Sequence, residues 1–208
     1  MVFLERENMI DIKNLTKTLK GINVLSEINL RFEDGHTYLI TGQNGSGKTM
    51  LLRAVCGLIK PTSGSIEFDR PCSFGVIIEN PSFIENETAL FNMEYLASIR
   101  DIIDRSTIEN VLEKVNLLQF KKQKVKRFSL GMKQRLGICQ AIMEDPDVLL
   151  LDEPFNAIDK ENLTQIYNLL NGLREKGKLI IIASHGQVNF SELTIDAEIV
   201  MADGRIVK

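Results

Sequence analysis

Residues 42–49 read GQNGSGKT and residues 148–154 read VLLLDEP. The first stretch fits the pattern GxxxxGK[ST] in full. Its glycines let the backbone turn tightly and aim several N–H groups at one phosphate, and a helix opening at Lys48 adds the positive end of its dipole. In that geometry Lys48 reaches the β- and γ-phosphates of a nucleotide and Thr49 sets a hydroxyl on Mg²⁺. Gly42, Gln43, Asn44, Gly45, Ser46, Gly47, Lys48, Thr49 and Met50 are therefore the expected nucleotide contacts. The second stretch brings two adjacent carboxylates off the end of an apolar strand. Their reaches differ, so one can enter a metal shell while the other orients a water for attack on a γ-phosphate. Asp152 is assigned to the metal and Glu153 to the base.

Such groups work only if rigid elements deliver them to one place. Ile28, Leu30 and Phe32 alternate as in a half-buried strand, Asp34-Gly35 reads as a turn, and Tyr38–Thr41 reads as a strand running into the glycine-rich loop. A helical pattern runs from Lys48 to Cys56 and stops at Gly57. SGSIEF and FGVII then read as short strands. From Ala89 to Ile142 apolar residues recur at helical spacing, with Ile108, Val111, Leu112 and Val115 on one face. Ser106 and Glu109 are spaced as a capping box to open that helix. The last third alternates again: VLLLD, a helix with Leu163, Ile166, Tyr167, Leu170 and Leu173 on one face, then KLIIIAS. EIVMADGRIVK reads as a hairpin around Asp203-Gly204. Continuous apolar strands between helices predict an α/β fold with a mainly parallel sheet covered on both faces. Ligands of such sheets sit at the C-terminal ends of the strands, where Asp152 and Glu153 emerge.

Composition is permissive. With 44% hydrophobic residues in 208, the chain can build a full core. Lys and Arg number 25 against 28 Asp and Glu, a net charge of −3 that gives no global attraction for nucleic acid. Cys56, Cys72 and Cys139 lack paired metal or redox spacing and fit a reducing compartment. MVFLERENMI lacks the basic and apolar regions of a signal peptide, and the longest aliphatic run, LIIIA at 179–183, is too short to span a bilayer.

FSLGMKQRLG at 128–137 lies between the two phosphate-site stretches and resembles the LSGGQ signature of ATP-binding cassettes, the nucleotide-binding subunits of ABC transporters. FNAID at 155–159 is similar to that family's D-loop, and IIASH at 181–185 to its switch strand. The resemblance covers nearly the whole chain. It implies one cassette, residues 1–208, with a phosphate-loop ATPase core, an N-terminal antiparallel β portion and a helical insertion at about 80–143. It implies ATP and Mg²⁺ as cofactors, hydrolysis of ATP, and His185 on the γ-phosphate. Ser129 and Gly131 would meet the ATP of a second nucleotide-binding subunit, with Asp159 closing the D-loop. A separate transmembrane permease would carry the transport path and hold the chain on the inner, cytoplasmic face of the membrane.

Three positions depart from the family pattern. Leu19 stands where an aromatic residue stacks on adenine. Leu130 and Met132 replace a glycine and a glutamine of the signature. Glu79 replaces the glutamine of the Q-loop, so it keeps an oxygen for the Mg²⁺ shell and the attacking water but adds a charge. IIENPSF together with FSLGMKQRLG is similar to the branch handling bacitracin and lantibiotic-type peptides. Phe83, Phe91, Met93, Tyr95 and Leu96 follow the Q-loop and are candidates both for a permease groove and for core. KKQKVKR at 121–127 supports an alternative, a soluble ABC ATPase acting on nucleic acid or ribosomes, although a solvated helical face explains the run as well. His36 has no motif around it and is expected to be an exposed turn residue.

Overall fold

In a computed structural model, residues 8–185 and 191–208 are described; most of the N-terminal stretch read above for targeting signals lies outside them. The strands are β1 (Asn8–Leu19), β2 (Ile22–Glu33), β3 (Thr37–Thr41), β4 (Ser63–Phe68), β5 (Phe74–Ile77), β6 (Val148–Asp152), β7 (Leu179–Ser184), β8 (Ala197–Ala202) and β9 (Arg205–Ile206). The helices are α1 (Lys48–Val55), α2 (Ala89–Ala97), α3 (Arg105–Lys114), α4 (Leu130–Ile142) and α5 (Lys160–Glu175).

Two sheets form. β2-β1-β4 is antiparallel, and β5-β6-β7-β3-β8-β9 is parallel except for the final hairpin strand. The continuous apolar runs are explained by two cores. Leu149, Leu151, Ile180 and Ile182 point into one, built with α2 to α5. Val148, Leu150, Leu179, Ile181 and Ala183 point into the other. All five β6 residues are buried, each apolar one worth roughly 1.5–3 kcal/mol relative to exposure. The second core is roofed by α1 and by Met9, Ile10, Leu15, Leu25 and Phe32 of the antiparallel sheet, so that face is not covered by helices alone as a simple α/β pattern predicts.

Strand register decides where the chemistry meets. In the parallel ladder Thr41 pairs with Ser184, and Asp152 with Ala183. Three adjacent strands thus end level with one another, and the residues following them emerge side by side. Arg174 on α5 ties down the opposite, N-terminal ends of β3 and β8: its Nε donates to Asp196 Oδ2 at 2.7 Å, and the same oxygen accepts from Thr37 N at 2.8 Å.

α2, α3 and α4 all lie between β5 and β6 in the chain. Their start signals differ in part from the sequence pattern. α3 is capped by Asp104, whose carboxylate accepts from Thr107 N at 2.8 Å, while Ser106 lies inside the helix and Glu109 pairs with Arg105 and Lys121. The predicted capping box is therefore wrong; an aspartate two residues upstream competes better for the free N–H groups. Of the residues after the Q-loop, Met93 is fully buried, whereas Phe91 and Tyr95 are exposed and stack at 6.4 Å. Within 121–127, Lys121 pairs with Glu109, Lys126 donates to Asn86, and Val125 is buried. His36 is half-buried and accompanies Glu33, so it is less exposed than expected. Among the described residues no helix is long and apolar enough to cross a membrane.

Candidate active site

Residues 42–47 leave β3 and wrap the start of α1. Ser46 N donates to Gln43 O at 3.1 Å and Leu51 N to Gly47 O at 2.9 Å, which closes the first turn. Gly42 has φ 152°, and a Cβ there would lie 2.3 Å from Met201 O and 2.6 Å from Ser46 Oγ, so the loop passes too close to β8 for a side chain. The β8–β9 hairpin backs the same loop: Gly204 N donates to Ser46 O, and Ser26 N donates to Gly204 O. The β8–β9 hairpin therefore holds the phosphate loop against β2.

Lys48 is buried, its ammonium donating to the carbonyls of Gly42 at 2.6 Å and Gln43 at 3.2 Å. It folds back over the loop it belongs to. Thr49 Oγ1 donates to Asp152 Oδ2 at 2.6 Å, so α1 and β6 present a hydroxyl and a carboxylate oxygen side by side. A cleft of about 370 Å³ lies over them, lined by Asn44 to Met50, Asp152, Glu153, His185 and Val24.

Glu153 follows β6 in the left-handed region at φ 49°, where a non-glycine residue persists only if its neighbours hold it. Three contacts do so. Its N–H donates to Ala183 O at 2.9 Å, its carbonyl accepts from Gln134 Nε2 at 3.1 Å, and its carboxylate meets His185 Nδ1. Gln134 is almost fully buried on α4, so that helix reaches Glu153 directly.

The remaining sequence-predicted residues lie outside the cleft lining. Ser129 caps α4, its hydroxyl accepting from Met132 N at 3.2 Å, and Leu130 beside it is exposed. Gly131 packs so closely on the following loop that a Cβ would sit 2.3 Å from Ala157 O. Asp159 caps α5; N–H groups of Asn162 hold its carboxyl below the usual carboxylate range. Arg135, buried and donating to Val115 O and Asn116 O, has its pKa pulled down by burial. Leu19 is exposed at the β1–β2 turn. Glu79, at φ 62°, turns its carboxylate to Arg53 of α1, 2.5 Å from Nη2. Sequence patterns single out neither Val24 nor Arg53, and Gln134 only as part of the signature stretch.

The donor set suits a nucleotide with Mg²⁺. Ser46 Oγ is buried without a partner among the described residues, on a residue that lines the cleft. Thr49 and Asp152 supply the hard oxygens that Mg²⁺ takes when substrate phosphates and waters complete its shell.

Residues 25–156, more than half of the chain, match the ABC transporter family. "Uncharacterized ABC transporter ATP-binding protein YybJ" of Bacillus subtilis (strain 168) is 44% identical over 95% of this chain and 94% of that protein. "Bacitracin transport ATP-binding protein BcrA" of Enterococcus faecalis is 36% identical, covering 97% of this chain and 69% of its own length. The dimeric structure of MJ0796, a bacterial ABC transporter cassette, superposes with a TM-score of 0.87 at 28% identity over 96% of this chain and 97% of that one.

Proposed function

From the premise that the chain belongs to the ABC transporter family as an ATP-binding subunit that hydrolyses ATP, we propose that it dimerises around two MgATP and drives a separate transmembrane permease at the inner membrane face. The observation that supports this reading most is the meeting of the phosphate loop, Asp152, Glu153 and His185 at the C-terminal ends of β3, β6 and β7. Lys48 exchanges its two loop carbonyls for β- and γ-phosphate oxygens. Thr49 and Asp152 would hold Mg²⁺, which would supply neutralising charge for the phosphates when bound. Glu153 accepts from the attacking water and takes its proton, while His185, already on the Glu153 carboxylate, orients that carboxylate and meets the γ-phosphate. Ser129 and Gly131, outside the cleft of their own chain, act on the ATP of the second copy, and Asp159 lies at the seam between the two.

The cargo is a peptide antibiotic of the bacitracin or lantibiotic type. Relatives named for bacitracin transport and for lantibiotic transport, the latter "Lantibiotic transport ATP-binding protein SrtF" of Streptococcus pyogenes at 36% identity over 85% of this chain, support that class. The stacked, exposed Phe91 and Tyr95 are offered to the permease. Coexpression with the permease should give an ATPase in membranes whose loss sensitises cells to bacitracin or a lantibiotic. Unchanged sensitivity to both would remove the cargo class, and absence of membrane-bound ATPase would remove the permease coupling.

A further inference from the structure

We propose that Arg53, one turn along α1 from Thr49, is a positioning residue for Glu79, holding its carboxylate in an ion pair until Mg²⁺ arrives with the nucleotide. This rests on the nucleotide reading above and deepens it. Arg53 follows Thr49 by four residues on α1, so the two share a helix face one turn apart. Thr49 is bonded to Asp152; Arg53 is bonded to Glu79. One face of α1 thus carries the hydroxyl of the metal site and, a turn above it, the counter-charge of a second carboxylate.

Glu79 lies just past the end of β5 in the left-handed region, with 67% of its side chain exposed. Nothing in its burial compels a partner. Its carboxylate nevertheless faces Arg53 and does not line the cleft. Unpaired, that carboxylate would add negative charge on the side of α1 that carries Thr49 and repel a triphosphate before the metal is bound. Arg53 removes that repulsion. Exposed ion pairs are weak, so the pair opens readily when a divalent cation competes for the carboxylate. A glutamine at position 79 would need no such partner.

The test is the affinity of the full chain for a fluorescent N-methylanthraniloyl ATP, with Mg²⁺ and with EDTA, in wild type, R53M, R53K, E79Q and R53M/E79Q. R53M should weaken metal-free binding at least about fivefold, the effect of one unpaired charge at close range, and leave binding with Mg²⁺ within about twofold. R53K should restore the wild-type ratio. With E79Q present, R53M should change nothing further. An equal loss in both Glu79 backgrounds would show that Arg53 attracts the phosphates directly, and an unchanged ratio in R53M would show a merely structural helix-end arginine; either overturns the proposal. Wild type that binds no nucleotide in either condition would instead overturn the nucleotide reading on which it rests.

Discussion

Single side chains carry the separate steps of the chemistry, so their removal should separate those steps. Glu153→Gln keeps every contact of the phosphate loop and removes the proposed base; ATP should bind normally while turnover falls roughly 10²–10⁴-fold. Equal turnover in the variant would take the base role from Glu153. Lys48 is the buried cation of the cleft, and Lys48→Ala should weaken ATP at least tenfold, as expected for losing a charge-assisted contact of about 1.5–3 kcal/mol. Titration calorimetry reads both. Leu19, exposed at the β1–β2 turn, is proposed to meet the nucleotide base with an apolar edge and no ring. Leu19→Tyr should therefore tighten ATP by about two- to twelvefold, the roughly 0.5–1.5 kcal/mol of an aromatic stack. No change would place the base elsewhere.

At the scale of elements, α4 is the piece on which most depends. It is capped by Ser129, presses Gly131 against the carbonyl of Ala157, and holds the carbonyl of Glu153 through Gln134. The glycine of the signature has a packing role here besides any role toward phosphate. Gly131→Ala should destabilise the fold by about 1–3 kcal/mol through overpacking, visible as a lower urea midpoint at unchanged slope. Exposed Leu130→Ala should leave the midpoint in place. If both variants unfold with wild type, the close approach at Ala157 is not a constraint on the helix.

For the whole molecule, the proposed second copy completes the site. Ser129 and Leu130 lie outside the cleft of their own chain, and Leu130 is exposed. Glu153→Gln should therefore accumulate a dimer with MgATP that disperses when EDTA removes the metal. Light scattering would show twice the chain mass in the first condition and the single mass in the second. A single mass in both would leave Ser129 and Gly131 without a nucleotide to meet.

Features that depend on short contiguous backbone are legible in the residues alone. GQNGSGKT and VLLLDEP each specify a strand end, a turn and the side chains that leave it, because strand burial and turn geometry are local. The fold class and the two carboxylates were legible for that reason, and so was the final hairpin. The cap of α3 was misread because Asp104 and Ser106 are both good caps, and only the packed helix chooses between them. Tertiary structure alone decided the contacts that cross between segments. Gln134 on Glu153, Arg53 on Glu79, Val24 in the cleft and Gly204 against Ser46 join residues 19, 26, 158 and more apart. Their meeting follows from the register of β3, β6 and β7 and from the folding of the antiparallel sheet over α1. Periodicity tells which face of a strand is buried, and it does not tell which distant segment will cover that face.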